Sequence, residues 1–261
     1  MSGSDATLTA ASGREGMIHD LAAVGLNLFA CLAGRDLIAR KIPGIPALED
    51  GASSPGTDRL KRQSVLLIGN AGPAFWAACQ ASDLSQEPDP VDRYSARQVT
   101  EALTRFVPDI PHRLLYPASD CAIALQSLGA MAGWHQPSPL GIGMHPQAGL
   151  WFAYRAVVLL DAEWAPTAAP ESVANYCAEC KTQDCIQTCP ADALSMGDTP
   201  DLGRCGNFRL EENSPCQDQC LARIACPVFT ELRYSREQVR HHYVASLDAL
   251  RRYIQQTTND V

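Results

Sequence analysis

Eight of the eleven cysteines in this 261-residue chain fall between Cys177 and Cys226. They form two runs. The first is Cys177-Ala-Glu-Cys180, four residues, then Cys185-Ile-Gln-Thr-Cys189-Pro190. The second is Cys205, then Cys216-Gln-Asp-Gln-Cys220, then Cys226-Pro227. Thiolates are soft ligands, and several on one tight segment wrap a metal group at little entropic cost. A disulfide framework would instead spread its cysteines to close loops across the fold. Two metal chemistries suit the pattern. A four-cysteine zinc site also uses Cys-x₂-Cys, and an iron–sulfur cluster is held by four thiolates. The Cys-Pro ending, present twice, favours the cluster, because proline fixes the chain direction just past the last ligand. Cys31, Cys79 and Cys121 stand apart among apolar neighbours and read as buried core thiols.

The first run resembles the bacterial ferredoxin pattern Cys-x₂-Cys-x₂-Cys-x₃-Cys-Pro, whose fourth cysteine ligates the other cluster. It keeps the x₂, x₃ and Cys-Pro spacings and departs at Cys180–Cys185, with four intervening residues where the pattern has two. The second run is looser, with ten residues between Cys205 and Cys216 and five before Cys226. The resemblance implies two [4Fe-4S] clusters, one on Cys177, Cys180, Cys185 and Cys226, the other on Cys189, Cys205, Cys216 and Cys220. That uses all eight cysteines.

The rest of the chain must position these residues. It is 46% hydrophobic and 19% charged, an ordinary globular balance. A net charge of −8 argues against a nucleic-acid partner. No apolar run approaches the ~20 residues of a membrane helix. The polar N-terminus lacks a secretory pattern, so a cytoplasmic location is expected. Residues 1–14 read as disordered and 15–24 as a helix. Residues 25–32 and 64–70 read as strands, with a Pro/Gly loop over 43–62. A helix opens at Asp89-Pro90, capped by Asp89, with Val99, Leu103 and Phe106 on its apolar face. Further strands are expected at 113–117, 140–146 and 149–160, and helices at 120–133 and 235–254. The boundaries that follow are 15–165 for the main α+β domain, 173–230 for the cysteine module and 231–261 for a closing helix packing on the main domain. No phosphate-binding glycine loop and no Ser-His-Asp set occurs.

Two remote segments carry a resemblance. His145-Pro146-Gln147-Ala148-Gly149-Leu150-Trp151-Phe152-Ala153-Tyr154-Arg155-Ala156-Val157-Val158-Leu159-Leu160 resembles a stretch of the cblC-type cobalamin-processing proteins, and 89–103, beginning Asp89-Pro90-Val91-Asp92, resembles their DPVD helix. Residues 65–76 and Arg233-Tyr234-Ser235-Arg236-Glu237-Gln238 resemble further segments of that family. Epoxyqueuosine reductases and reductive dehalogenases join a domain of this kind to a two-cluster ferredoxin module, and Asp120, Gly141, Gly143 and Trp151 match them loosely. The resemblance implies a flavin-reductase (nitroreductase-like) α+β sheet with an inserted ferredoxin-like module, and a cobalamin-type corrinoid as a second cofactor.

Each candidate has a plainer reading. Asp120 is expected as a proton donor if buried, or as a helix N-cap. His145 would contact the corrin, or hold a turn. Trp151 and Phe152 would line its face, although alternation puts one of them in the core. Arg155, in an apolar strand, needs a carboxylate or an anionic ligand. His241 and His242 read as a solvated helix face, and His112 and His135 carry no constellation. The expected function is an oxidoreductase passing cluster electrons to a corrinoid, for reductive ligand removal or substrate reduction. A redox donor protein and a small-molecule substrate are the expected partners. The rival is a non-enzymatic electron carrier or corrinoid chaperone.

Overall fold

The structure, a computed structural model, describes residues 3–42, 45, 56–117, 122–168 and 174–259. The apolar run Val65-Leu66-Leu67-Ile68 sets the centre, each residue 0% exposed. Such a run, apolar on both faces, belongs inside a sheet rather than at its edge. It forms β2 (Ser64–Ala71), which lies between β1 (Leu28–Ala33) and β4 (Phe152–Leu160). β3 (His112–Tyr116) completes a four-stranded antiparallel sheet of order β1-β2-β4-β3.

The helices of this first unit are α1 (Gly3–Ala23), α2 (Gly34–Ala39), α3 (Gly56–Leu60), α4 (Ala74–Gln80), α5 (Pro90–Phe106) and α6 (Leu125–Met131). α5 buries Val91, Tyr94, Val99 and Leu103 at helical spacing against the sheet, and α1 adds Met17 and Leu21. Cys31 and Cys79 are 0% exposed in this core. Cys121 lies outside the described residues.

Two irregularities shape the sheet. Ile68 pairs with Ala156 and Gly69 with Tyr154, so Arg155 is an extra, unpaired residue on β4. A bulge of this kind re-aims a side chain. Gly69 accepts it because a Cβ there would meet the Ala153 carbonyl oxygen at 2.7 Å. On β3 the register slips between Leu114 and Tyr116.

The second compact unit comprises Gln136–Trp151 and Val173–Val261. It carries α7 (Tyr176–Glu179), α8 (Asp184–Gln187), α9 (Leu202–Leu210), α10 (Leu221–Ala225) and α11 (Arg236–Asn259). α8 packs on α10, and α11 on α9.

Several expectations need correction. α1 begins at Gly3, inside the stretch read as disordered, because Ala and other helix-compatible residues extend it backwards from Glu15. The loop over 43–62 contains α3. Asp89 sits at φ 49° and makes no side-chain cap, while Pro90 does occupy the first helical turn. α6 starts at Leu125 with Ala124 in the cap position, so the helix expected from Asp120 is shorter. Residues 140–146 form no strand. Glycines and prolines leave only the isolated bridges Gln136–Met144 and His145–Gly149. These residues cluster with the cysteine region, whereas the sequence boundaries put them in the main domain. Among the described residues no helix is long and apolar enough to cross a membrane.

Candidate functional site

The eight cysteines are brought to positions by short elements. Asn175 caps α7 by accepting the Ala178 N–H at 3.1 Å, and the turn closes with Cys180 N–H donating to the Cys177 carbonyl at 3.3 Å. Gln183, at φ 49°, turns the chain into α8, which starts with Asp184-Cys185 and releases Cys189 just past its end. Asp201 caps α9, which carries Cys205, through the Arg204 N–H at 2.9 Å. Cys220 is the N-cap of α10, its sulfur accepting the Arg223 N–H at 3.4 Å, and Cys226 is the C-cap.

This placement sorts the cysteines into two sets of four. Cys177, Cys180, Cys185 and Cys226 line one cavity of about 20 Å³, with Met144, Tyr176 and Val228 as apolar wall. Cys189, Cys205, Cys216 and Cys220 line another, of about 130 Å³, walled by Leu140, Ile142, Phe208 and Ala222. Three of the four cysteines around the roomier space come from the looser run. α8 and α10 pack together, and each presents one cysteine of the first set at one end and one of the second at the other.

Electrostatics follow the same sorting. Burial, then the neighbouring Cys226, Cys185 and Cys180, push the Cys177 thiol up to about 11. Burial and then Cys226 raise Cys185, and burial with Cys180 raises Cys226. In the other set burial, then Cys220, Cys189 and Cys216, raises Cys205, and burial with Cys220 and Cys189 raises Cys216. Thiolates gathered in this way need cationic compensation, which metal supplies in exchange for protons. Among the described residues no three His, Cys, Asp or Glu side chains converge on a single metal ion. One zinc would draw sulfurs to about 3.8 Å from one another, given tetrahedral bonds of 2.3 Å. Each set supplies four thiols, the ligand number of a [4Fe-4S] cluster.

Two arginines that sequence reasoning missed brace these loops. Arg209 donates through Nε to the Cys216 carbonyl at 3.2 Å and through Nη2 to the Tyr243 carbonyl at 2.9 Å. Arg233 donates to the Cys226 carbonyl at 3.1 Å. Arg209 follows Cys205 by four residues, one helical turn, which was the available signal.

The other candidates are placed as follows. Asp120 lies outside the described residues. His145 is 3% exposed in the second unit, its Nδ1 accepting the Gln147 N–H at 3.1 Å and its backbone paired with Gly149. Burial pushes its ring down to about 4, so it is neutral at pH 7. Trp151, in the same unit, is 1% exposed among Tyr234 and Val239. Phe152 meets the Tyr154 ring edge-on at 5.4 Å in the first unit. Arg155 is 6% exposed, donates from Nε to Asn70 Oδ1 at 2.7 Å and lies 4.7 Å over the Phe75 ring. Asn70 and Phe75 are its direct contacts, and its charge also acts on the Asp92 carboxyl, which burial raises and Arg155 lowers. His135, expected to stand alone, lies 3.4 Å from the Tyr154 hydroxyl. Tyr154 also stacks on Trp134 at 6.4 Å, and burial raises its hydroxyl pKa. His242 is half-buried with its ring 6.4 Å from that of Tyr234, so the pair at 241–242 is not simply a solvated face.

The fold is similar to that of solved epoxyqueuosine reductases. An epoxyqueuosine reductase solved with a tRNA-Tyr epoxyqueuosine-modified stem loop superposes with a TM-score of 0.52 at 14% identity, over 88% of this chain and 69% of that one. A catabolic reductive dehalogenase gives 0.49 at 13% identity, over 87% and 34%. The C. elegans B12-trafficking protein CblC gives 0.47 at 15%, over 94% and 96%. What this chain shares with the epoxyqueuosine reductase is the fold. No protein-family model matches the chain, and no curated protein matches it in sequence.

Proposed function

We propose that the chain is an iron–sulfur redox protein holding two [4Fe-4S] clusters, one on Cys177, Cys180, Cys185 and Cys226 and one on Cys189, Cys205, Cys216 and Cys220. The observation that carries this reading is the sorting of eight cysteines into two cavities of four. Clusters of this type supply one-electron transfer at a potential tuned by hydrogen bonds, charge and solvent exposure. The chain's own residues set those terms. Apolar walls at Met144 and Val228, and at Ile142 and Phe208, limit water at each set. Arg209 and Arg233 fix the loops carrying Cys216 and Cys226 and place positive charge beside them.

The electrons are destined for a cobalamin-type corrinoid, in reductive ligand removal or substrate reduction. The fold shared with an epoxyqueuosine reductase supports this part, as do the resemblances at 89–103 and 145–160. His145, Trp151, Phe152, Arg155 and Asp120 remain the residues proposed to serve it. One observation favours the rival, a carrier or chaperone without catalysis. His145 Nδ1 and Arg155 Nε are already bonded within the fold, to Gln147 and Asn70. Anaerobic purification with iron and sulfide analysis tests the clusters, and stoichiometric zinc without sulfide would refute them. Titration with hydroxocobalamin, followed by visible spectroscopy, tests the corrinoid. A silent titration removes it and leaves the clusters untouched.

A further inference from the structure

Within the second unit, a cavity of about 460 Å³ opens at the N-terminal end of α11. Trp151, Asp218, Gln219, Arg233, Arg236 and Arg240 supply its polar lining. Its volume is in the range of small-molecule sites. Its charge runs against the rest of the molecule, with three arginines to one carboxylate in a chain of net charge −8. Asp218 stands 4.0 Å from Arg240, and Arg236 has no ion-pair partner among the described residues. Arg236 and Arg240 also lie in the opening turns of the 24-residue α11, where the helix dipole disfavours cations. Glu237 in the first turn and the Ser235 hydroxyl, which accepts the Gln238 N–H at 3.2 Å, already answer the dipole, so an anion here is called for by the arginines.

The indole of Trp151 supplies a second, independent observation. The residue is 1% exposed, and its Nε1 has no hydrogen-bond partner. A buried N–H without an acceptor is costly, so an acceptor oxygen is the natural complement. The ring is already held, with the Arg223 guanidinium 4.8 Å over its face and Tyr234 edge-on at 5.6 Å. It is therefore a pre-positioned donor.

We propose that this cavity binds a phosphate-bearing small molecule. The phosphate oxygens accept from Arg233, Arg236 and Arg240 and from Trp151 Nε1. Guanidinium forks match phosphate oxygens two at a time, and several around one group favour phosphate over a single carboxylate. The volume exceeds that of a bare phosphate, and Ile224, Val239 and Tyr234 offer an apolar surface to an organic remainder. Gln219 lines this cavity and also the one around Cys189, Cys205, Cys216 and Cys220. The ligand would thus lie one residue's breadth from the second cysteine set. The proposal stands whether or not that set holds a cluster.

Calorimetric titration of the full chain as purified tests it, with inorganic pyrophosphate, adenosine monophosphate and a short RNA hairpin as separate probes. Pyrophosphate and the nucleotide should each saturate at one per chain. The Arg236→Ala/Arg240→Ala double variant should weaken both about a hundredfold, at about tenfold for each charge-assisted contact. Trp151→Phe, which keeps an aromatic side chain but replaces the indole and its N–H by a smaller phenyl ring, should weaken them about tenfold, with an unchanged circular dichroism spectrum. Arg251→Ala, further along the same helix, should change nothing. Absence of saturable binding, binding indifferent to both the arginine pair and Trp151→Phe, or binding of the RNA hairpin alone would each overturn the proposal.

Discussion

Cys226 offers the sharpest test of the two sets, because it lies last in sequence yet lines the cavity of Cys177, Cys180 and Cys185. Two double variants separate this arrangement from a sequential one in which each run holds its own cluster. In Cys177→Ser/Cys226→Ser both lost thiolates belong to the first set, and the second set keeps all four of its own. About four of eight irons should remain. In Cys216→Ser/Cys226→Ser each set loses one thiolate. Both sites then drop to three ligands, and iron should fall towards zero or to three-iron remnants at best. The sequential arrangement inverts the two outcomes, so the iron ratio between the variants changes by a factor of two or more in opposite directions. Iron and acid-labile sulfide per chain, measured after anaerobic reconstitution, read the difference directly. More iron in the Cys216/Cys226 variant than in the Cys177/Cys226 variant would refute the crossed sets.

Cys177, pushed up to about 11, gives a pH signature with two signs. The metal-free fold keeps protons that the unfolded chain releases near pH 9. Its thermal stability should therefore be full below that pH and fall as pH rises towards 11, while chelator-resistant iron binding should tighten over the same range. Parallel movement of the two would contradict the assignment. Arg155→Met removes a 2.7 Å bond and strands the buried Asn70 Oδ1, so urea denaturation should show a loss of about 2–3 kcal/mol. Gly129→Ala would bring a Cβ to 1.9 Å from the Tyr154 hydroxyl. It should cost about 1–3 kcal/mol, with partial recovery when Tyr154→Leu is added, as read by a double-mutant cycle.

Where one short segment decided the outcome, the sequence was legible. The run Val65–Ile68 had to be a central strand, since it is apolar on both faces. Val99 and Leu103 at helical spacing, following Pro90, marked α5. The x₂ and x₃ spacings marked the first cysteine run. Features set by tertiary contact stayed hidden. A period-two pattern cannot register the extra residue at Arg155, whose bulge directs it to Asn70 and Phe75. The apolar letters of Leu140–Met144 suggested a strand, but the glycines and prolines around them permit only isolated bridges. Asp89 looked like a cap from its residue type, and its left-handed backbone carries the side chain elsewhere. Arg209 stands one helical turn past Cys205, but which carbonyls it and Arg233 brace is decided only by the fold.

The crossing at α10 also has a consequence in time. A ribosome delivers the chain from the N-terminus, so Cys189, Cys205, Cys216 and Cys220 are all available before Cys226 appears. The set that begins first in the sequence is therefore the last to be closed. Cys177, Cys180 and Cys185 must wait as an open three-thiol cradle through 40 further residues of synthesis. A scaffold delivering iron and sulfide to this first set would have to act after that interval, once Cys226 has been made.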